Sequence, residues 1–378
     1  MNDRIIDSIE QLHYMLEAAI QLEHATIPPY LTALYSIYPN TNLEAVATIR
    51  AVLVEEMLHL TLAANVLNSV GKKPDLTKRG FVPNFPTFLP DGETDFKVSI
   101  APFSPETLET FLNIERPSKM SDTGPRSNFC KGCIPCSNVD KFELSAITPH
   151  QGHNYRFYSI GEFYDAILEG IEFLEAEAKA SGSTIFVGSS HLQVSNAYYY
   201  SGGGEVIEVN DVDTARKALE LIKEQGEGHG GSIFNSEGEI SHYYRFEQLK
   251  MGQYYQVGDQ PGQPTGERFS VNFEKVYPIK SNPKLSDYPL ESELYRAARL
   301  FNQNYLKFLA LVTEAFNGNQ NVLLGAVCDM FRLKEGATQL IRNPIPNQSH
   351  INGAPTFELY NVSQELSQVQ IDVQEALS

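Results

Sequence analysis

The segment IRAVLVEEMLHLTLAANVLNSV, residues 49–70, decides how the rest of the chain is read. Counting three, four and seven positions away from Glu56 gives Ile49, Val52, Leu53, His59, Leu60 and Ala63, and the apolar stripe runs on through Val66, Leu67 and Val70. That spacing marks the buried face of an α-helix, so Glu56 and His59 point into a core. A carboxylate is costly to bury unless it takes up a proton or meets a cation. The preceding helix repeats the anomaly. Leu12, Leu16, Ala19 and Ile20 before Glu23, and Ile27, Tyr30, Leu31 and Leu34 after it, place a second acid on a buried face. Two inward acids and an imidazole ask for a metal, and carboxylate oxygens with an imidazole nitrogen suit iron or manganese. The plainer alternative is a buried Glu–His pair that only packs the helices. Glu55 reaches His59 at i to i+4 and takes the place of Glu56 if the helix is rotated.

Working outward, the two helices span about 4–38 and 43–70 and are joined by the polar turn Pro39-Asn40-Thr41-Asn42, which makes them an antiparallel hairpin. Pro28 and Pro29 predict a kink or short break near Thr26, since proline has no N–H to donate and collides with the preceding turn. Residues 71–158 read as a long ordered insertion, because prolines at 74, 83, 86, 90, 102, 105 and 117 punctuate short apolar pieces, with one short helix over 105–114. Helical spacing returns over 159–181 and 211–226 as a second hairpin, with TIFVGSS and GEVIEV between them expected to pair as strands, and resumes in an extension over 240–342. The expected fold is mainly α: one domain over 1–378, a four-helix bundle with a long irregular insertion and additional C-terminal helices.

The 378 residues carry 29 Lys and Arg against 47 Asp and Glu, a formal charge of −18, which repels nucleic acid. No apolar run reaches the ~20 residues of a membrane span. The opening MNDRIIDSIEQL has no basic segment followed by an apolar one, so a cytoplasmic protein with a small-molecule partner is expected. Cys130, Cys133 and Cys136 put three thiolates within reach of one ion, with His150, His153 or Cys328 as a fourth ligand, for an iron–sulfur cluster or zinc. A disulfide or free thiols on a surface loop is the alternative. His24 is turned about 100° around the helix from Glu23 and reads as a hydrogen-bonding group between helices.

The stretches LEHATIPPYLTALYSI (22–37), EEMLHLTLAANVLNSVG (55–71), SIGEFYDAI (159–167), KEQGEG (223–228) and SHYYRF (241–246) occur in an order that resembles the ferritin-like family typified by the amino-terminal part of iminophenyl-pyruvate dimer synthases of bis-indole pigment biosynthesis. The resemblance runs from about Ile5 to the late APTFELY. It implies a ferritin-like bundle with a non-haem metal site, its ligands Glu23, Glu56 and His59 with Glu162, Glu227 and His242. The last helix of the bundle offers Glu224-x-x-Glu227 where a second Glu-x-x-His would stand, so His242 would supply that imidazole. On residues alone, Glu162 also reads as a helix-start acid favoured by the macrodipole. Glu175 sits better on the stripe of Tyr164, Leu168 and Ile171, and Glu224 and His229 are the substitutes.

The function the resemblance implies is a di-iron enzyme, with manganese able to replace iron, that activates O2 and oxidises a small amino-acid-derived or aromatic metabolite in a secondary pathway. A reductase and a homo-oligomer belong to the same expectation. The relatives that make the named dimer are longer and carry a haem domain, so that activity is not carried over. An iron-handling or peroxide-detoxifying protein of the same fold, or a non-catalytic domain, are the competing readings.

Overall fold

A computed structural model of the chain describes residues 5–118, 156–200 and 202–359. Among these residues there are eight α-helices and one short β-hairpin. Ser8 caps α1 (Ile9–Ser36) by accepting from the Gln11 N–H. A turn then leads into α2 (Leu43–Ser69). Ser159 caps α4 (Ile160–Ala180), and Asp211 and Thr214 form a reciprocal capping box at the start of α5 (Val212–Glu227). Helix α1 packs on α2 and α4, α2 packs on α5, and α4 packs on α5, which closes a four-helix ring. The expected four-helix bundle is therefore present, with α1 starting at Ile9, later than the sequence places it, and the short helix α3 (Pro105–Ile114) falls where the sequence places it.

The C-terminal extension covers the outside of this ring. Helices α7 (Glu293–Ala315) and α8 (Leu323–Ile341) pack on each other, and α8 also packs on α1. As a result α1 is buried on every side from Ala18 to Ala33, and α2 from Glu55 to Ser69. His24 links the two layers: its Nε2 lies 2.6 Å from the Tyr305 hydroxyl, and burial keeps the ring neutral, with its pKa down to about 3. No described helix is long and apolar enough to cross a membrane.

Two local expectations are corrected. Helix α1 continues without a break through Pro28 and Pro29. The Thr26 hydroxyl oxygen lies 2.7 Å from the Glu23 carbonyl, and packing on all sides holds the turn that the prolines weaken. The segments TIFVGSS and GEVIEV do not pair as strands. Side-chain amides tie this extended chain down instead: Asn65 on α2 donates to the Val194 and Ile207 carbonyls at 2.8 and 3.0 Å and accepts from the Val194 N–H at 2.9 Å. Gln193 likewise brackets Val209, donating to its carbonyl and accepting from its N–H, both at 2.6 Å. The hairpin that does form joins β1 (Pro344–Ile345) and β2 (Gln348–Asn352).

An ionic knot lies in the insertion. The Glu93 carboxylate pairs with Arg116 on one side and with Arg156 at 2.8 Å on the other. Asp91 beside it is buried, and burial first, then the Glu93 charge, pushes its carboxyl up to about 7. The sign follows from linkage: a carboxyl raised on folding contributes stability below the ordinary carboxylate range, and that contribution is lost as pH rises through about 7. Asp91→Asn keeps an oxygen for the Glu93 N–H, which sits 3.1 Å from Asp91 Oδ1. We predict that it matches the parent at pH 4 and exceeds it by about 1–3 kcal/mol at pH 8. Urea midpoints at the two pH values measure this, and equal midpoints at pH 8 would refute it.

Candidate metal centre

Five ligand-type side chains converge inside the bundle. Glu23 comes from α1, Glu56 and His59 from α2, Glu115 from the C-terminal end of α3, and His242 from the first residue of α6 (His242–Met251). None is more than 4% exposed. Glu56 and His59 share a helix face because they are three residues apart. Helix α3 packs against α6, which brings Glu115 to His242.

The atoms fall into two groups, Glu23–Glu56–His59 and Glu56–Glu115–His242, each with one ligand atom per residue within 4.8 Å of the others. His59 Nδ1 lies 3.5 Å from Glu23 Oε2 and 3.7 Å from Glu56 Oε1. His242 Nδ1 lies 3.2 Å from the same Glu56 Oε1 and 3.4 Å from Glu115 Oε2. Glu56 Oε1 is thus common to both groups, in the position of a bridge. The two imidazole rings stack with centroids 5.4 Å apart.

Each of these side chains is also held from behind by a different group. Tyr164 donates to Glu23 Oε1, Thr26 to Glu56 Oε2 at 2.7 Å, and Tyr30 to Glu115 Oε1 at 2.5 Å. His59 Nε2 meets Gln225 Oε1 at 2.9 Å, and His242 Nε2 meets Glu55 Oε2 at 2.7 Å. These outer partners are acceptors, so each ring donates through Nε2 and turns its Nδ1 toward the carboxylates. His242 Nδ1 is fully buried and faces Glu56 and Glu115. A buried Nδ1 aimed at acids is met by a proton on the ring or by a cation in its place. The donor set of carboxylate oxygens and imidazole nitrogens therefore fits iron or manganese.

The electrostatics carry the same signature. Burial, and then Glu115, push Glu56 up to about 7. Burial lowers His59 and His242, yet the facing acids overcome it, raising His59 and lifting His242 well above its ordinary value. Burial also opposes ionisation of Glu55, but His242 and Arg245 outweigh it and hold that carboxyl down at about 2. The pocket collects positive charge wherever it can.

A cavity of about 290 Å³, counted with its opening, is lined by Glu23, Glu56, His59, Glu115 and Glu227 and reaches out between Ile160–Gly161 and Ile222–Lys223. Glu227 stands in this wall apart from the two groups. Its carboxylate accepts from the Gly161 N–H at the start of α4, and from the N–H and hydroxyl of Ser118 at 2.9 and 2.8 Å, an anion seated on a helix N-terminus. Gly161 leaves room for it, since a Cβ there would meet that carboxylate at 2.5 Å and displace it. Glu162 is half-buried at the α4 cap, its Oε2 accepting from the Tyr158 N–H at 3.0 Å. Glu175 anchors the loop at Thr184 and Ile185, and Glu224 pairs with His229 at 2.8 Å away from the cluster.

Of the six residues suggested by the sequence, Glu23, Glu56, His59 and His242 come together, while Glu227 and Glu162 do not join them. Glu115 is the residue that sequence reading missed. Its signal was available, because Leu108, Phe111 and Leu112 stand seven, four and three positions before it and are all buried. Cys130, Cys133 and Cys136, with His150 and His153, lie outside the described residues, and Cys328 is an exposed free thiol on α8.

Residues 16–251 match the family model described as Ferritin-like. Dichlorochromopyrrolate synthase of Lentzea aerocolonigenes is 24% identical over 333 residues, which is 81% of this chain, and the chain spans 29% of that protein's length. The solved structure of a ferritin-like protein from Caulobacter vibrioides aligns with a TM-score of 0.60 over 93% of this chain and 99% of that one, at 20% identity, a likeness of fold.

Proposed function

Since the chain belongs to the ferritin-like family, we propose that it is a non-haem di-metal oxidase or oxygenase that uses O2 to oxidise a small amino-acid-derived or aromatic metabolite. Iron is the native metal in this reading, and manganese can occupy the same donors. The observation that carries it is the sharing of Glu56 Oε1 by two Glu/His groups deep in the bundle. The substrate class takes its support from the synthase named above, whose matched part corresponds to this chain.

Two bound ions would supply the reversible electron transfers that O2 reduction needs. The chain's own residues do the rest. Glu23 and Glu115 would hold one ion each through the oxygen that Tyr164 and Tyr30 leave free. His59 and His242 would complete the two sets through Nδ1. Burial of all five side chains excludes bulk water, which strengthens every charge interaction inside. Small molecules would enter between the start of α4 and the end of α5, past Lys223 and Glu227. A reductase would restore the reduced state.

The small size of the cavity favours a second reading, iron handling or peroxide removal without an organic substrate. An anaerobic Fe(II) titration followed by O2 exposure separates the two. Two irons per chain, with O2 uptake stimulated by aromatic amino-acid derivatives, supports the oxidase. Many irons per chain in a large shell, or peroxide turnover with no organic co-substrate, supports the second reading. A chain that takes up no iron at all refutes both.

A further inference from the structure

Resting on the dinuclear reading above, we propose that the two metal positions are unequal: an inner one, formed by Glu56, Glu115 and His242, fills first and holds its ion tightly, and an outer one, formed by Glu23, Glu56 and His59, holds its ion loosely and exchanges it through the cavity. The first support is what stands behind each imidazole. His242 Nε2 donates to a carboxylate, Glu55 Oε2 at 2.7 Å, whereas His59 Nε2 donates to a neutral amide, Gln225 Oε1 at 2.9 Å. A carboxylate behind the ring makes the opposite nitrogen a stronger donor than an amide does, because it stabilises the partial positive charge the ring acquires on binding a cation.

Glu55 is itself fixed in that role. Its Oε1 accepts from Arg245 at 2.8 Å, leaving Oε2 for the imidazole. Gln225 is held by its other end, where Nε2 donates to the Gly203 carbonyl at 2.7 Å. The difference between the two positions is therefore built from side chains that are each anchored twice.

The second support is access. Glu23, Glu56 and His59 all line the cavity, whereas the inner set reaches it through Glu56 and Glu115 only, His242 being fully buried behind them. An ion in the outer position would have all three of its ligands on the cavity wall, and one in the inner position would have its imidazole withdrawn from it. In this arrangement the inner ion organises the site and the outer position is where exchange and small-molecule binding occur.

The test is a Mn(II) titration of the metal-stripped full chain, with free Mn(II) counted by its electron paramagnetic resonance signal. The parent is expected to bind two ions in two steps, and one equivalent is expected to give the spectrum of an isolated ion. Glu55→Gln keeps an acceptor for His242 and removes the charge; it is expected to weaken the tight step roughly 10–100-fold and to leave the loose step unchanged within about threefold. Gln225→Glu places a carboxylate behind His59 and is expected to tighten the loose step, a gain that a misfolded protein could not produce. Two ions of equal affinity in the parent, a coupled pair at one equivalent, or equal weakening of both steps by Glu55→Gln in a protein with parental circular dichroism would overturn the inequality. A parent that binds no Mn(II) or Fe(II) removes the dinuclear reading itself, a result distinct from the loss of order between the steps.

Discussion

Glu56→Gln is expected to empty both metal positions at once while making the metal-free protein more stable. The loss of metal follows from geometry, since Glu56 Oε1 is the one atom close to both histidine Nδ1 atoms, at 3.7 and 3.2 Å. A neutral amide in its place removes the bridging charge. Binding of the pair should weaken by at least about 100-fold, against the loss of a single ion for Glu23→Gln, and metal analysis after desalting would count the ions. The gain in stability has the opposite origin. A carboxylate buried beside Glu115 and Glu23 is costly to ionise, which is what pushes Glu56 up to about 7, and an uncharged Gln avoids that cost while still accepting from Thr26 with its oxygen. About 1–3 kcal/mol is expected at pH 8, read from urea denaturation of the stripped proteins. If the variant retains two ions per chain, Glu56 is not the bridge.

Metal loading of the parent is expected to raise its melting temperature by about 5 °C. A ligand that binds only the folded state stabilises it by about 4 kcal/mol at a thousandfold excess over its dissociation constant. At about 2.1 cal/mol/K of unfolding entropy per residue, each kcal/mol moves the midpoint of a 378-residue chain by about 1.3 °C. The five buried donors exist together only in the fold, since they come from four separate helices, so the unfolded chain offers no comparable site. Differential scanning fluorimetry with Mn(II), or with Fe(II) under anaerobic conditions, measures the shift, and a chelator should reverse it. A parent whose midpoint does not move with either ion would leave the cluster as a packing device.

The parts of this fold that could be read from sequence were those where one face of a helix had a fixed neighbour. Ile49, Val52 and Leu53 ahead of Glu56, and Leu60 and Ala63 after it, marked its burial correctly because the bundle interior lies on that side. The same reading kept Glu55 only as a substitute for Glu56 in a rotated helix. The sequence pattern treats the opposite face of α2 as exposed, but the chain at Gly203 and helix α6 cover it, so a second buried acid faces His242 from outside the stripe. Glu115 was hidden for a different reason. It ends a ten-residue helix inside a proline-rich stretch, where two turns give too short a repeat to stand out, although its apolar neighbours carry the signal.

His242 shares a helix face with Phe246 and Leu249, yet its role as a ligand was suggested only by family likeness; the contact that places it, α3 against α6, joins segments far apart in the chain. The strands expected between α4 and α5 do not form, and side chains hold their backbone instead: Glu175 accepts from the Ile185 N–H, while Asn65 and Gln193 bind Ile207 and Val209, a reach that no local pattern records. In the same way, two adjacent prolines announced a break in α1, and the enclosure of that helix by α2, α4 and the C-terminal layer keeps it whole.

The grip of Glu93 on both Arg116 and Arg156 makes the polypeptide depart from the scaffold and return to it at a single anchor. Loss of that one carboxylate would release both arginines together, so residue 93 governs how two distant points of the chain are held side by side next to the bundle.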